Sequence, residues 1–231
     1  MRQPMRAVVD AVWDRRSGYW LVLALLIAAY ALCAAQDTTD PSPWVLVVQL
    51  VTVAVVLRVT EAHQKVQHTA WIILSIAAAA TLVVAVLGLR GEALDIALSA
   101  ASALAFLFAP AAIIRHQVHR RGLDIEALLA ATAAYVLVGM FYAHAYNLVA
   151  LLTVAPTFGD QTVDSLSSQL FFSFTTLTTT GYGNMVPASP GVQGIAVSEA
   201  ITGQLFLITA VARIMRGARR SSREATTEET P

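Results

Sequence analysis

Apolar residues gather into six long runs, at 18–35, 43–60, 69–89, 93–114, 125–153 and 191–215, with polar clusters between them. A helix needs roughly 17–25 such residues to cross a bilayer, so each run predicts a membrane-spanning helix. The second is the shortest and carries Gln49, which leaves its ends the least defined. A different pattern fills the gap between the last two runs. Residues 165–178 form a short amphipathic stretch rich in Phe and Thr, in which Leu170, Phe171, Phe172 and Phe174 can pack into protein or lipid. This stretch reads as a half-helix that enters the membrane and stops partway. The expected fold class is an all-α membrane protein of six transmembrane helices with a re-entrant helix between the fifth and sixth.

Thr178, Thr179, Thr180, Gly181, Tyr182 and Gly183 follow the half-helix directly. Non-helical backbone at membrane depth is tolerated only when it is buried in protein or lines a water-filled cavity. Pointing successive carbonyls at one axis needs residues with φ > 0, which glycine adopts without steric cost. Gly181 and Gly183 bracket Tyr182, whose ring can pack behind a pore and hold its width. Thr179 can add a hydroxyl oxygen to the innermost position of such an oxygen stack. The stack replaces the water around a cation, and the partial negative charge at a helix C-terminus favours a cation there too.

The phrase FSFTTLTTTGYGNMVP strongly resembles the pore loop of tetrameric potassium channels. Around it, IEALLAATAAYVLVGMFYAHAYNL resembles the outer helix of bacterial pore modules, and ASPGVQGIAVSEAITGQLFLITAVARI their inner helix, so the resemblance covers residues 124–216. It implies a re-entrant pore helix and a selectivity filter between helices five and six, with potassium held at Thr179, Thr180, Gly181 and Tyr182. Three positions depart from the family pattern. Thr180 stands where Val or Ile is usual, Asn184 replaces the common Asp at the outer mouth, and Thr175 occupies a pore-helix position where some members carry Glu.

Two residues of the last run bear on gating. Gly203 resembles the glycine hinge of potassium-channel inner helices, and a glycine in a membrane helix also serves as a packing notch; both readings stand. Helical spacing from it directs Gln204, Leu207 and Val211 to the cavity. Glu199 lies about 12 Å into the same helix at 1.5 Å per residue, near the depth of the filter. An ionisable group there is functional by default; the alternative is a carboxyl that bonds a pore-helix hydroxyl and locks packing. Its available partners are Ser173, Thr175 and Thr176, so Glu199, Thr175 and Thr176 form the expected filter support. In the fifth run, Tyr135, Phe141, Tyr142 and Tyr146 can pack on the pore helix, and His144 is expected to be a buried ring satisfied by a neighbour.

The chain is 57% hydrophobic and 13% charged, with a mean hydropathy of +0.64, outside the range of ordinary soluble domains. Zero net charge gives no attraction to nucleic acid. A single cysteine, Cys33, excludes an intrachain disulfide. The first run shows no cleavage site and reads as a retained helix that also directs insertion. With both termini in the cytoplasm, 14 of the 15 basic residues fall inside and only Arg90 outside, as the positive-inside rule requires. Asp37, Asp40, Glu92, Asp160 and Asp164 then lie outside.

These readings divide the chain into a cytoplasmic N-terminus (1–17), a four-helix bundle (18–123), a pore domain (124–216) and a disordered cytoplasmic tail (217–231). The bundle occupies the voltage-sensor position of six-helix channels, yet its fourth run lacks Lys and Arg. Pro110 is expected to kink or end that helix. His63, His68, His116 and His119 read as solvated loop residues. The expected function is a potassium-selective channel in the plasma membrane, passive, weakly voltage dependent and assembled from four identical chains among lipid. A weakly selective cation channel, or a non-conducting membrane sensor on the same fold, is the alternative. No nucleophile–base pair, metal motif or phosphate loop suggests an enzyme, and no cofactor is expected beyond the conducted ion.

Overall fold

The computed structural model describes residues 15–39, 43–60, 91–118, 125–159 and 164–228. The apolar runs become α1 (Arg15–Ala34), α2 (Pro43–Val59), α3 (Glu92–Val118) and α4 (Ile125–Leu152), followed by α5 (Leu166–Leu177) and α6 (Pro190–Glu228). The run at 69–89 lies outside the described residues, as do His63, His68 and His119 and the side chain of His116. Among the described residues, Asp95–Arg115, Ile125–Leu152 and Pro190–Ala210 are long and apolar enough to cross a membrane, while Gly18–Ala34 and Val45–Val59 are shorter apolar helices.

Two expectations are corrected. Of the kink or end expected at Pro110, the end is excluded, because α3 runs through it to Val118; neighbouring helices can re-satisfy the backbone group that a proline frees, and α4 packs against α3. Residues 217–228 are not irregular, because α6 continues to Glu228. Ala218, Arg219, Arg220, Arg223, Glu224 and Ala225 are good helix formers, and extending a formed helix avoids the unfavourable nucleation step.

Each helix packs through one face. Along α1, Tyr19, Val22, Leu26, Ala29 and Cys33 are buried at three- and four-residue spacing, while Trp20, Ile27 and Tyr30 are exposed. Lipid tails are as apolar as leucine, so helices in a bilayer associate through close packing and hydrogen bonds rather than through escape from water. α4 suits this. Its buried residues include Ala130, Ala133, Ala134, Gly139 and Ala143, small side chains that let α1, α3 and α5 approach closely.

The short helix α5 is held at both ends. The first four N–H groups of a helix lack internal partners. Here Leu166 N–H donates to the Thr38 carbonyl at 3.1 Å and Ser167 N–H to that of Gln36 at 3.2 Å. Ser168 N–H donates to the hydroxyl of the N-cap Ser165 at 3.1 Å. The segment leaving α1 thus caps α5. After α5 the chain returns through β2 (Val186–Pro187), paired antiparallel with β1 (Phe158–Gly159) in the register Phe158↔Pro187. Tyr142, Tyr146, Phe158, Phe172, Met185 and Val192 make a separate aromatic core beneath this pair.

Candidate pore site

At its C-terminal end, α5 turns directly into Thr178, Thr179, Thr180, Gly181, Tyr182 and Gly183, all exposed. Four carbonyls at a helix end need partners, and all four find one. Phe174 O accepts from Thr178 N–H at 3.0 Å, Thr176 O from Thr179 N–H at 2.9 Å, and Thr175 O from both Thr180 N–H at 2.8 Å and Gly181 N–H at 3.1 Å. Leu177 O accepts from the Tyr135 hydroxyl at 2.9 Å, so Tyr135, in the first half of α4, reaches the end of α5. The Thr178 and Thr180 hydroxyls are 2.8 Å apart.

Backbone signs alternate along the segment. Thr179 has φ of +58°, Gly181 +50° and Gly183 +80°, and Thr179 is the sole non-glycine residue with positive φ among the described residues. Reversing φ at every second residue turns successive carbonyls toward one side of the strand. For the β-branched Thr179 this conformation is strained, of the order of 1–3 kcal/mol, and such strain persists where surrounding bonds fix it. The Tyr182 ring stacks on Phe171 of α5 with centroids 5.7 Å apart and 12° between planes. It is 70% exposed, so the chain by itself leaves this face open. Asn184 is exposed beside it.

Behind the segment, three helices meet at Glu199. Its side chain is fully buried. One carboxyl oxygen accepts from the Tyr146 hydroxyl of α4 at 2.8 Å, and the other lies 2.5 Å from the Ser173 hydroxyl of α5. Ser173 also lies 2.8 Å from the Gly139 carbonyl. Of the partners expected for Glu199, Ser173 is found; Thr175 instead bonds the Phe172 carbonyl at 3.0 Å, and Thr176 accepts through its backbone. Tyr146 is expected from the sequence to pack on the pore helix but not to bond Glu199. Its place one turn after Tyr142 on the buried face of α4 marks it as a packing residue and not as a donor.

Gly203 is buried against the end of α5, where an added Cβ would overlap the Leu177 carbonyl oxygen. The helix is unbroken there, so in this conformation Gly203 provides a close contact. Gln204 and Leu207 are exposed on α6, and Val211 lies on the helix with its side chain outside the described residues. His144 corrects an expectation: its ring stacks on Phe106 with centroids 5.3 Å apart, but Nε2 is buried without a hydrogen-bond partner. Groups of three or more His, Cys, Asp and Glu side chains able to hold a metal are absent among the described residues.

Residues 128–219 match the family model described as an ion channel. The matched stretch begins in α4, passes through α5 and the Thr178 to Gly183 segment, and ends within α6. It supports a place in an ion-channel family and a channel function for the unit just described. Neither a curated protein nor a solved structure matches the chain.

Proposed function

We propose that the chain is one subunit of a potassium-selective channel that conducts passively across the plasma membrane as a homotetramer, with both termini in the cytoplasm. The observation that carries this reading is the alternation of φ at Thr179, Gly181 and Gly183 in a Thr-Thr-Gly-Tyr-Gly segment at the end of a short helix. Carbonyls turned to one side can replace the hydration shell of a potassium ion. In this reading Thr179, Thr180, Gly181 and Tyr182 hold the ion, Thr178 starts the filter and Asn184 stands at its outer mouth. Thr175, Thr176 and Glu199 support it from behind. Gln204, Leu207 and Val211 line the cavity below, and Gly203 is the position about which α6 can bend.

One chain supplies one such segment, and a cyclic ring of identical chains is the common way to close a heterologous interface. The exposed Tyr182 face and the exposed α6 residues Val197, Ile201, Leu205 and Ile208 are surfaces that neighbouring chains and lipid would cover. Thr180 favours a second reading, a weakly selective cation channel, because its hydroxyl stands where an aliphatic side chain is usual. Flux through the purified protein in liposomes, with potassium set against sodium, tests both. Potassium flux well above sodium flux is expected; equal rates favour the second reading, and no flux of either ion overturns the channel.

A further inference from the structure

At the end of the bundle where α1 exits, a cavity of about 10 Å³ lies among α2, α3, α4 and the start of α5. Its polar lining comes from Gln36, Gln49, Ser99, Ser102, His144 and Asn147. Gln49, His144 and Asn147 are between 2 and 4% exposed. The amides of Gln49 and Asn147 are half satisfied. Gln49 Nε2 donates to Cys33 Sγ at 3.2 Å, and Asn147 Nδ2 donates to Ser99 Oγ at 3.1 Å and to the Thr39 carbonyl at 3.2 Å. What remains without a partner in the protein is Gln49 Oε1, Asn147 Oδ1, His144 Nε2 and both amide atoms of Gln36.

Leaving a buried polar atom unpaired costs about 1–3 kcal/mol, so five of them around one space call for a polar occupant. The volume admits a particle about the size of one water, and a buried water typically makes 2–4 hydrogen bonds. An apolar occupant would leave all five atoms unpaired. A cation would sit desolvated among neutral groups, since among the described residues no carboxylate lines the space, and a buried charge without a counter-charge is strongly unfavourable. One water can donate to Gln49 Oε1 and Asn147 Oδ1 and accept from Gln36 Nε2 and from His144 Nε2 in its N–H form, four bonds in all.

We propose that this cavity is a binding site for one water molecule, which bridges Gln36, Gln49, His144 and Asn147 and thereby ties α2 and α4 to the segment that caps the pore helix. The carbonyls of Gln36 and Thr38 are the ones that receive the first N–H groups of α5, so the water would lie one residue from that cap. The proposal is independent of which ion the pore selects.

Water-edited solid-state NMR on the full chain in liposomes, with ¹⁵N in His, Gln and Asn side chains, tests it; His144→Phe assigns the ring signal. Rapid magnetisation transfer from water to the His144 ring is expected, falling several-fold in Gln49→Leu or Asn147→Leu. Gln49→Met, which gives up the same oxygen with an unbranched side chain, provides the reading should Gln49→Leu misfold. Absence of transfer in the parent overturns the proposal. So does transfer that survives unchanged in both amide variants, or a signal that tracks ammonium or sodium concentration instead of water.

Discussion

Gly181 and Gly183 isolate backbone conformation from packing, because nothing lies within 4 Å of a Cβ added at either. An alanine there meets only the penalty of left-handed backbone, roughly 1–2 kcal/mol, multiplied in a ring of several chains. Gly181→Ala and Gly183→Ala are expected to insert and assemble normally while potassium flux falls to background. Parental flux from either variant would remove the filter assignment. Glu199 is a packing-dependent counterpart. Glu199→Ala strands the Tyr146 hydroxyl in the interior at about 1–3 kcal/mol and is expected to lower the melting temperature. Glu199→Gln keeps the shape and both neighbours, so stability should hold while open probability or inactivation shifts and potassium preference stays; single-channel records that match the parent would leave Glu199 a packing residue. The Thr178 to Gly183 segment was legible in the sequence as a candidate filter because each of its residues has a local reason to be there. The Tyr146–Glu199 bond joins residues 53 apart, and no local pattern marks an aromatic residue as a hydrogen-bond donor.

Between elements, two glycines set how closely helices approach, and their surroundings predict different outcomes. A Cβ at Gly139 would come within 2.7 Å of the Phe174 ring, which is itself packed edge-on against Tyr30 at 5.2 Å. The ring is a side chain and can yield, so Gly139→Ala is expected to lose about 1–3 kcal/mol, as overpacking does, with conduction retained. Thermal unfolding and flux measured together check this. At Gly203 the obstacle is the Leu177 backbone, one residue before Thr178, and it cannot move without moving the filter. Gly203→Ala is therefore expected to abolish conduction as well as lower stability. A Gly203→Ala channel with parental stability and altered opening would leave the residue a hinge alone, without the close contact. The helices among the described residues were legible, because unbroken apolar runs leave few alternatives. Gln49, His144 and Asn147 were not readable as one cluster: Gln49 sits on α2 and the other two on α4, and only the packing of α3 against both helices brings them to the same cavity.

For the whole molecule, the decisive quantity is how much charge can move through the membrane field. Moving one elementary charge across 100 mV is worth about 2.3 kcal/mol, and steep gating requires several per subunit. In the proposed six-helix arrangement α3 would be the helix to carry such charges, and its first basic residue is Arg115, at the end of the candidate span Asp95–Arg115. The run at 69–89 contains no basic residue either, and in α2 Arg58 sits in the last turn. Charges at helix ends stay outside most of the field whichever way the bundle shifts. Four subunits assembled around one axis would multiply a quantity that starts near zero. The channel is therefore expected to open with a voltage dependence equivalent to about one elementary charge or less, arising from ions moving within the filter rather than from the bundle. Planar-bilayer recordings of the reconstituted protein, whose mass as a tetramer is established first by native mass measurement, decide it. A steep activation curve equivalent to many charges would mean that the bundle carries a sensor of another design, whereas a monomer or dimer as the sole conducting species would overturn the assembly on which the pore depends.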